Sequence, residues 1–275
     1  MDIFGIYLNK LKKAEFLEEI KTLKKQSIIF TPNPEILLKL KNDGEFRDIL
    51  EKASYLIPDG IGIYLAYQIL EKKYSFFTSI FLLPYFIYKL IFKKKELYEL
   101  YGERICGSDL TKDLLRFAEE EKKQIVIIDL YNPTDSKKQL SQKVFASKIK
   151  EKYEKLTFDY YIYNPNEKEQ IIENISNSSG EILFSTLGMK TQEKSILEIM
   201  EKCKNIKIGL GIGSSFDYIV GFQKRAPEFM VKSGFEWFYR IFFGPQKIKR
   251  IKRIWNAIFV FTYEVFVYKK GKNRK

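Results

Sequence analysis

Short apolar runs alternate with stretches of helical spacing along most of the chain. "SIIFTPN" (27–33) reads as a strand that ends in a turn, and helical spacing follows to about residue 51. "ASYLIPD" (53–59) is the next strand, and "KQIVIIDLYNP" (123–133) is a third, followed by a lysine-rich helix to about Lys155. "LTFDYYIYNP" (156–165), "EILFSTLG" (181–188) and "IKIGLGIG" (206–213) complete the set, with helices at 166–177 and 190–203 between them. The strands are short, β-branched or aromatic, and apolar on both faces. Helices separate them, so the pattern predicts βαβ units and an α/β fold, a Rossmann-like parallel sheet flanked by helices. In such sheets ligands bind at the carboxyl ends of the strands. Thr31, Asp59, Asp129, Tyr163, Gly188 and Gly213 all fall near those ends.

Two segments depart from this pattern. Residues 76–92 within "KKYSFFTSIFLLPYFIYKLIFKKKELYELY" (72–101) are apolar apart from Thr78, Ser79 and Lys89, and lysines flank them. A membrane-spanning helix needs about 20 apolar residues. This run is shorter, and Pro84 and Lys89 interrupt it. It reads either as a core or oligomer-interface helix, or as a segment lying in a membrane interface with its lysines at headgroup level. The second segment is the tail. From Phe238 to Lys275 it carries eleven Lys or Arg and one acid, Glu264, interleaved with aromatic and aliphatic residues. Such a mixture suits an anionic bilayer, and a single nucleic-acid strand is the alternative.

Composition narrows the chemistry. The chain has 275 residues, enough for a large core with an appendage, and a net charge of +13 that calls for an acidic partner. Its two cysteines, Cys106 and Cys203, are far apart in sequence, which gives neither a disulfide framework nor metal-ligand spacing. There is no histidine, which removes Ser-His-Asp and Cys-His catalysis and His-ligated zinc. No apolar signal run opens the sequence, so a cytoplasmic protein is expected. Asp59 lies at a strand-to-helix turn, where an acid is either a catalytic group or a helix N-cap ahead of Ile61. Thr31 and Asn33 sit in "TPNP", a stretch that turn chemistry alone also explains.

Six blocks occur in order: "TPNPEILLKLKND" (31–43), "ASYLIPDGIGIYLA" (53–66), "ERICGSDL" (103–110), "LGMKTQEKSI" (187–196), "GIGSSFDYIVGFQKRAPEFM" (211–230) and "GFEWFYRIFFGPQKIKRIKR" (234–253). Together they resemble the WecG/TagA/CpsF family of bacterial glycosyltransferases, over nearly the whole chain outside 72–101. The resemblance implies an inverting, metal-independent enzyme acting at the inner face of the cytoplasmic membrane. It would move a sugar, N-acetylmannosamine or a related hexose, from a UDP-sugar to a polyprenyl-diphosphate-linked sugar. No cofactor and no nucleic-acid partner are expected on this reading. The alternative is an inactive relative that binds lipid-linked sugar or nucleic acid.

Residue by residue, the resemblance makes Asp59 the general base, through its Pro-Asp-Gly motif. Thr31 and Asn33 become acceptor contacts. Tyr163, Gln192 and Asp217 fall on the donor nucleotide, and Arg240, Lys247 and Arg250 on the diphosphate; Arg225, in "RAP", either joins them on the diphosphate or anchors the appendage. Inversion needs one base for the acceptor hydroxyl and stabilisation of the departing diphosphate. The sequence has no Asp-x-Asp pair, so cationic side chains are expected to neutralise the leaving group. The expected organisation is a core over 1–210, with 72–101 as an apolar insertion. A basic helical appendage over 211–275 would close the site and contact the membrane. Three departures lie on the donor side: "DLYNPTD" replaces a glycine-rich turn, Ile162 precedes Tyr163, and Lys190 stands where the family has proline.

Overall fold

The computed structural model describes all residues except 24, 72–74, 131–144, 214, 222–223, 228–229, 231–238, 240–250, 253–254 and 273–275. A small antiparallel hairpin, β1 (Asp2–Ile3) and β2 (Ile6–Tyr7), comes first. Six parallel strands follow: β3 (Ser27–Phe30), β4 (Tyr55–Leu56), β5 (Gln124–Leu130), β6 (Phe158–Tyr163), β7 (Gly180–Ser185) and β8 (Ile208–Gly211). They form one sheet in the order β4-β3-β8-β7-β5-β6. Every predicted strand is present, and the all-parallel pairing matches the predicted α/β class.

Alternating side chains of each strand feed two cores. Val126, Ile128 and Leu183 enter one, with α2 (Pro34–Leu40), α3 (Gly44–Glu51), α4 (Ile61–Glu71), α10 (Lys168–Ser176) and α11 (Thr191–Lys202). Ile125, Ile127 and Phe184 enter the other, with α1 (Lys13–Lys21), α8 (Gly107–Glu120), α9 (145–152) and α12 (Ser215–Ile219). A continuous apolar run such as "IVII" in β5 is what a strand covered on both faces requires.

The structure refines the predicted elements in three places. The helix expected to reach residue 51 is two helices, because Asp43 stops the first and caps the second by accepting from the Phe46 N–H at 3.0 Å. Of the segment 72–101, the described residues form three helices: α5 (Phe76–Phe81), α6 (Leu83–Phe92) and α7 (Lys94–Tyr101). Proline at the start of α6 fits the first turn of a new helix and cannot continue an old one. Among the described residues no helix is long and apolar enough to cross a membrane. Finally, the tail ends in a π-helical stretch, Asn256–Val260, and α13 (Phe261–Lys272). Phe261 and Val265 of α13 are fully buried in the same core as α2 and α4. Phe4 meets Phe261 edge-on, and the Tyr268 hydroxyl donates to Asp2 at 3.0 Å, which ties α13 to the N-terminal hairpin.

Candidate functional site at the carboxyl edge of the sheet

The turns after β3 and β4 lie side by side. The Ile57 N–H donates to the Phe30 carbonyl and the Asp59 N–H to the Pro32 carbonyl, each at 2.9 Å. The parallel pairing of the two strands therefore continues past their ends, and it carries Thr31 and Asp59 onto adjoining turns. Gly60 follows with φ +96°, a left-handed conformation that admits glycine freely. Its carbonyl accepts from the Ile63 N–H at 3.3 Å, so Gly60 stands at the position that leads into α4. Asp59 is half-buried, one residue ahead of it.

Two other elements converge on these turns. A Cβ on Gly107 would stand 3.2 Å from the Thr31 hydroxyl, so the first turn of α8 lies directly against Thr31. A Cβ on Gly62 would stand 2.8 Å from the Pro34 ring and 3.3 Å from the Ala257 carbonyl. The π-helical part of the tail thus runs beside the first turn of α4, next to the Asp59 turn. Arg225 reaches the first turn of α8 as well, donating to Ser108 Oγ at 3.0 Å and to Asp109 Oδ1 at 2.7 Å. Its Nε is buried and makes no hydrogen bond among the described residues. Arg225 therefore anchors the chain after α12 to the same corner. Arg240, Lys247 and Arg250 lie outside the described residues.

The remaining candidates take other places. The Asn33 side chain caps α2, accepting from the Ile36 N–H at 3.0 Å, so turn chemistry does use its oxygen. Gln192 is buried. Its Oε1 accepts from the Gly213 N–H at 3.1 Å and its Nε2 donates to Glu193 at 2.8 Å. It thereby holds the turn after β8 against α11. Glu193 also accepts from the Lys190 N–H at 2.6 Å, and burial pushes its carboxyl above the usual carboxylate range, against the pull of these hydrogen bonds. Lys190 sits at φ +72° and ψ −46°, and its ammonium reaches Asp43 and Glu45 on α3, each at 2.8 Å.

Tyr163 is buried in the core shared with α10 and α11, and burial raises its hydroxyl pKa. Asp217 lies on the opposite face of the sheet, close enough to Tyr160 for its charge to help raise that hydroxyl's pKa. The side chains of Tyr163 and Asp217 are therefore not brought together on one face. Near Asp217 the structure gathers a group whose contacts were not legible in the sequence. Asp129, at the end of β5, accepts from the Tyr160 hydroxyl at 2.6 Å and from the Thr186 hydroxyl. Burial and the bond to Asp129 together push Tyr160 well above its ordinary value. This group lies where β5 and β7 adjoin while their onward connections leave in opposite directions, toward β6 and β8. In open α/β sheets such a divergence opens the ligand crevice. The sequence signal was only an acid at a strand's carboxyl end.

Comparison with known proteins bears on the same edge of the molecule. The sequence profile described as "Glycosyl transferase WecG/TagA/CpsF family" matches residues 1–100 and 91–275. An N-acetylglucosaminyldiphosphoundecaprenol N-acetyl-beta-D-mannosaminyltransferase of Bacillus subtilis (strain 168) is 27% identical over 253 residues, which is 90% of this chain and 82% of the relative. A protein of the same name from Staphylococcus aureus (strain MRSA252) is 23% identical over 281 residues, 100% of this chain and 93% of the relative. The blocks around Thr31, Asp59, Arg225 and the tail fall within the matched stretches, and the chain belongs to the WecG/TagA/CpsF family of glycosyltransferases.

Proposed function

We propose that this chain transfers N-acetylmannosamine or a closely related hexose from a UDP-sugar to a sugar on polyprenyl diphosphate, in cell-surface polysaccharide or teichoic-acid synthesis. It would act peripherally on the inner face of the cytoplasmic membrane. The reading is supported by family membership and by the names of the relatives. The observation that supports it is the backbone bond from the Asp59 N–H to the Pro32 carbonyl, which puts Asp59 and Thr31 on adjoining turns at the carboxyl edge of the sheet.

In this reading Asp59 takes the proton from the acceptor hydroxyl as that oxygen attacks the anomeric carbon. Attack comes from the face opposite UDP, so the configuration inverts. The bond from the anomeric carbon to the diphosphate oxygen breaks, and its electron pair stays on UDP. Thr31 orients the acceptor, Asn33 shapes its turn, and Gln192, Asp217 and Tyr163 serve the donor side. Arg225, Arg240, Lys247 and Arg250 are the cations for the diphosphate. The absence of an Asp-x-Asp pair from the sequence supports a metal-independent reaction.

UDP release from a panel of UDP-sugars, with a short-chain lipid-diphosphate acceptor and EDTA present, tests this directly. Turnover is expected with one donor. Replacing Asp59 by Asn should lower kcat by about 100-fold or more, the usual contribution of a general base. Full activity in that variant would remove Asp59 from the role. UDP binding with no turnover for any donor would leave a binding protein in place of an enzyme.

A further inference from the structure

We propose that the outer face of α5 and α6 docks on an anionic lipid surface, so that this insertion, along with the tail, holds the protein at the membrane. The inference deepens the acceptor side of the proposed function, although its test needs no turnover. Phe77 and Phe81 are four residues apart and share one face of α5, with 73% and 83% of their surface exposed. Tyr85, Tyr88 and Phe92 share one face of α6, and Phe92 is 69% exposed. The opposite face of α6 carries Phe86, which is buried in the core that contains α4. A helix that is apolar all round is normally covered on every side. α4 is such a helix, and protein covers it. α6 is apolar on both faces, yet its aromatic face is exposed.

Charge selects the occupant. Between Glu71 and Glu96 the sequence has six lysines, at 72, 73, 89, 93, 94 and 95, and no acid. The Lys89 ammonium lies 5.3 Å from the centre of the Tyr85 ring, at the edge of the aromatic face. Phenylalanines in the acyl boundary, with tyrosines and lysines at headgroup level, are the pattern of a helix lying in the interface. A second copy of the chain fits less well. Lys93 pairs with Glu96 at 2.9 Å, but a two-fold contact would set the aromatic face against itself and bring the Lys89 ammonium at its edge toward its own copy, whereas an anionic surface answers that charge. At 1.5 Å per residue the 10 residues of α6 reach about 15 Å, half the hydrocarbon thickness, so the segment lies on the bilayer and does not cross it.

Sedimentation of the full chain with vesicles tests the proposal. Binding is expected to vesicles of phosphatidylcholine mixed with phosphatidylglycerol, to weaken with added salt, and to be much weaker for phosphatidylcholine alone. The Phe77→Ser, Phe81→Ser double variant touches only exposed side chains and should lose about tenfold or more in partitioning. Its UDP release with a detergent-dispersed short-chain acceptor should stay unchanged. A Phe81→Trp variant should gain a blue-shifted emission on anionic vesicles, over that of the wild type. The proposal is overturned if the double variant binds vesicles like the wild type, or if the wild type binds none. It is also overturned if the double substitution converts a dimer to a monomer while vesicle binding persists. Vesicle binding without sugar transfer would keep this inference and sink the proposed function.

Discussion

Lys190 occupies a backbone conformation that a side chain tolerates poorly, φ +72° with ψ −46°, and three interactions hold it there. Its N–H is fixed by Glu193, and its ammonium by Asp43 and Glu45. Replacement by Gly and by Ala removes the same two ion pairs, but only Gly relieves the backbone. The Gly variant should therefore be the more stable by about 1 kcal/mol or more in urea titration. Glu193 gives a prediction in pH. Burial raises its folded pKa above the ordinary 4.5, so proton binding favours the folded state. That contribution is complete below pH 4.5 and is lost as the pH rises through the folded value. Glu193→Gln cannot titrate, so its stability should fall less than that of the wild type between acid and neutral pH. At this scale the sequence was legible unevenly. Asp59 was placed at a strand-to-helix turn and stands there, one residue before the position that leads into α4. Gln192 was assigned to the donor from its motif. Its bond to the Gly213 N–H depends on how α11 packs on β8, which spacing along the chain does not encode.

The elements themselves were largely written in the sequence, because apolar runs four to seven residues long with helical spacing between them leave few alternatives to a parallel sheet. The tail was harder to read. Its basic and aromatic mixture suggested a helical appendage that closes the site and contacts the membrane; α13 is such a helix, and it also sends Phe261 and Val265 into the main core and pairs Lys41 with Glu264. Replacing Phe261 by Ala should therefore destabilise the whole protein by about 3–5 kcal/mol, measured by chemical denaturation. A surface appendage would show almost no change. Which stripe of α13 is buried was not legible, because a helix of mixed composition buries whichever narrow stripe meets a partner, and the partners here, α2 and α4 with the N-terminal hairpin, are far from it in sequence. Asp43 illustrates the reverse case. Its capping of α3 was available in "NDGEF", but continuous apolar spacing on either side concealed the break.

For the molecule as a whole, strand order decides where chemistry can happen. β5 and β7 part ways at the carboxyl edge, and β3 and β4 place Thr31 and Asp59 on neighbouring turns. The excess of 13 positive charges and the lack of histidine were fixed by composition. So were the fold class and the ordered blocks that mark the family, since these depend on residue type and local spacing. Tertiary structure alone decided which blocks meet. It put the first turn of α8 against Thr31 and the tail's π-helical stretch beside the Asp59 turn. It also left the aromatic face of α5 and α6 uncovered while covering α4. Apolar periodicity states that a face will be buried, but the identity of what buries it is a matter of long-range packing. For α4 that cover is α6, α7 and α13, the last brought in from the far end of the chain.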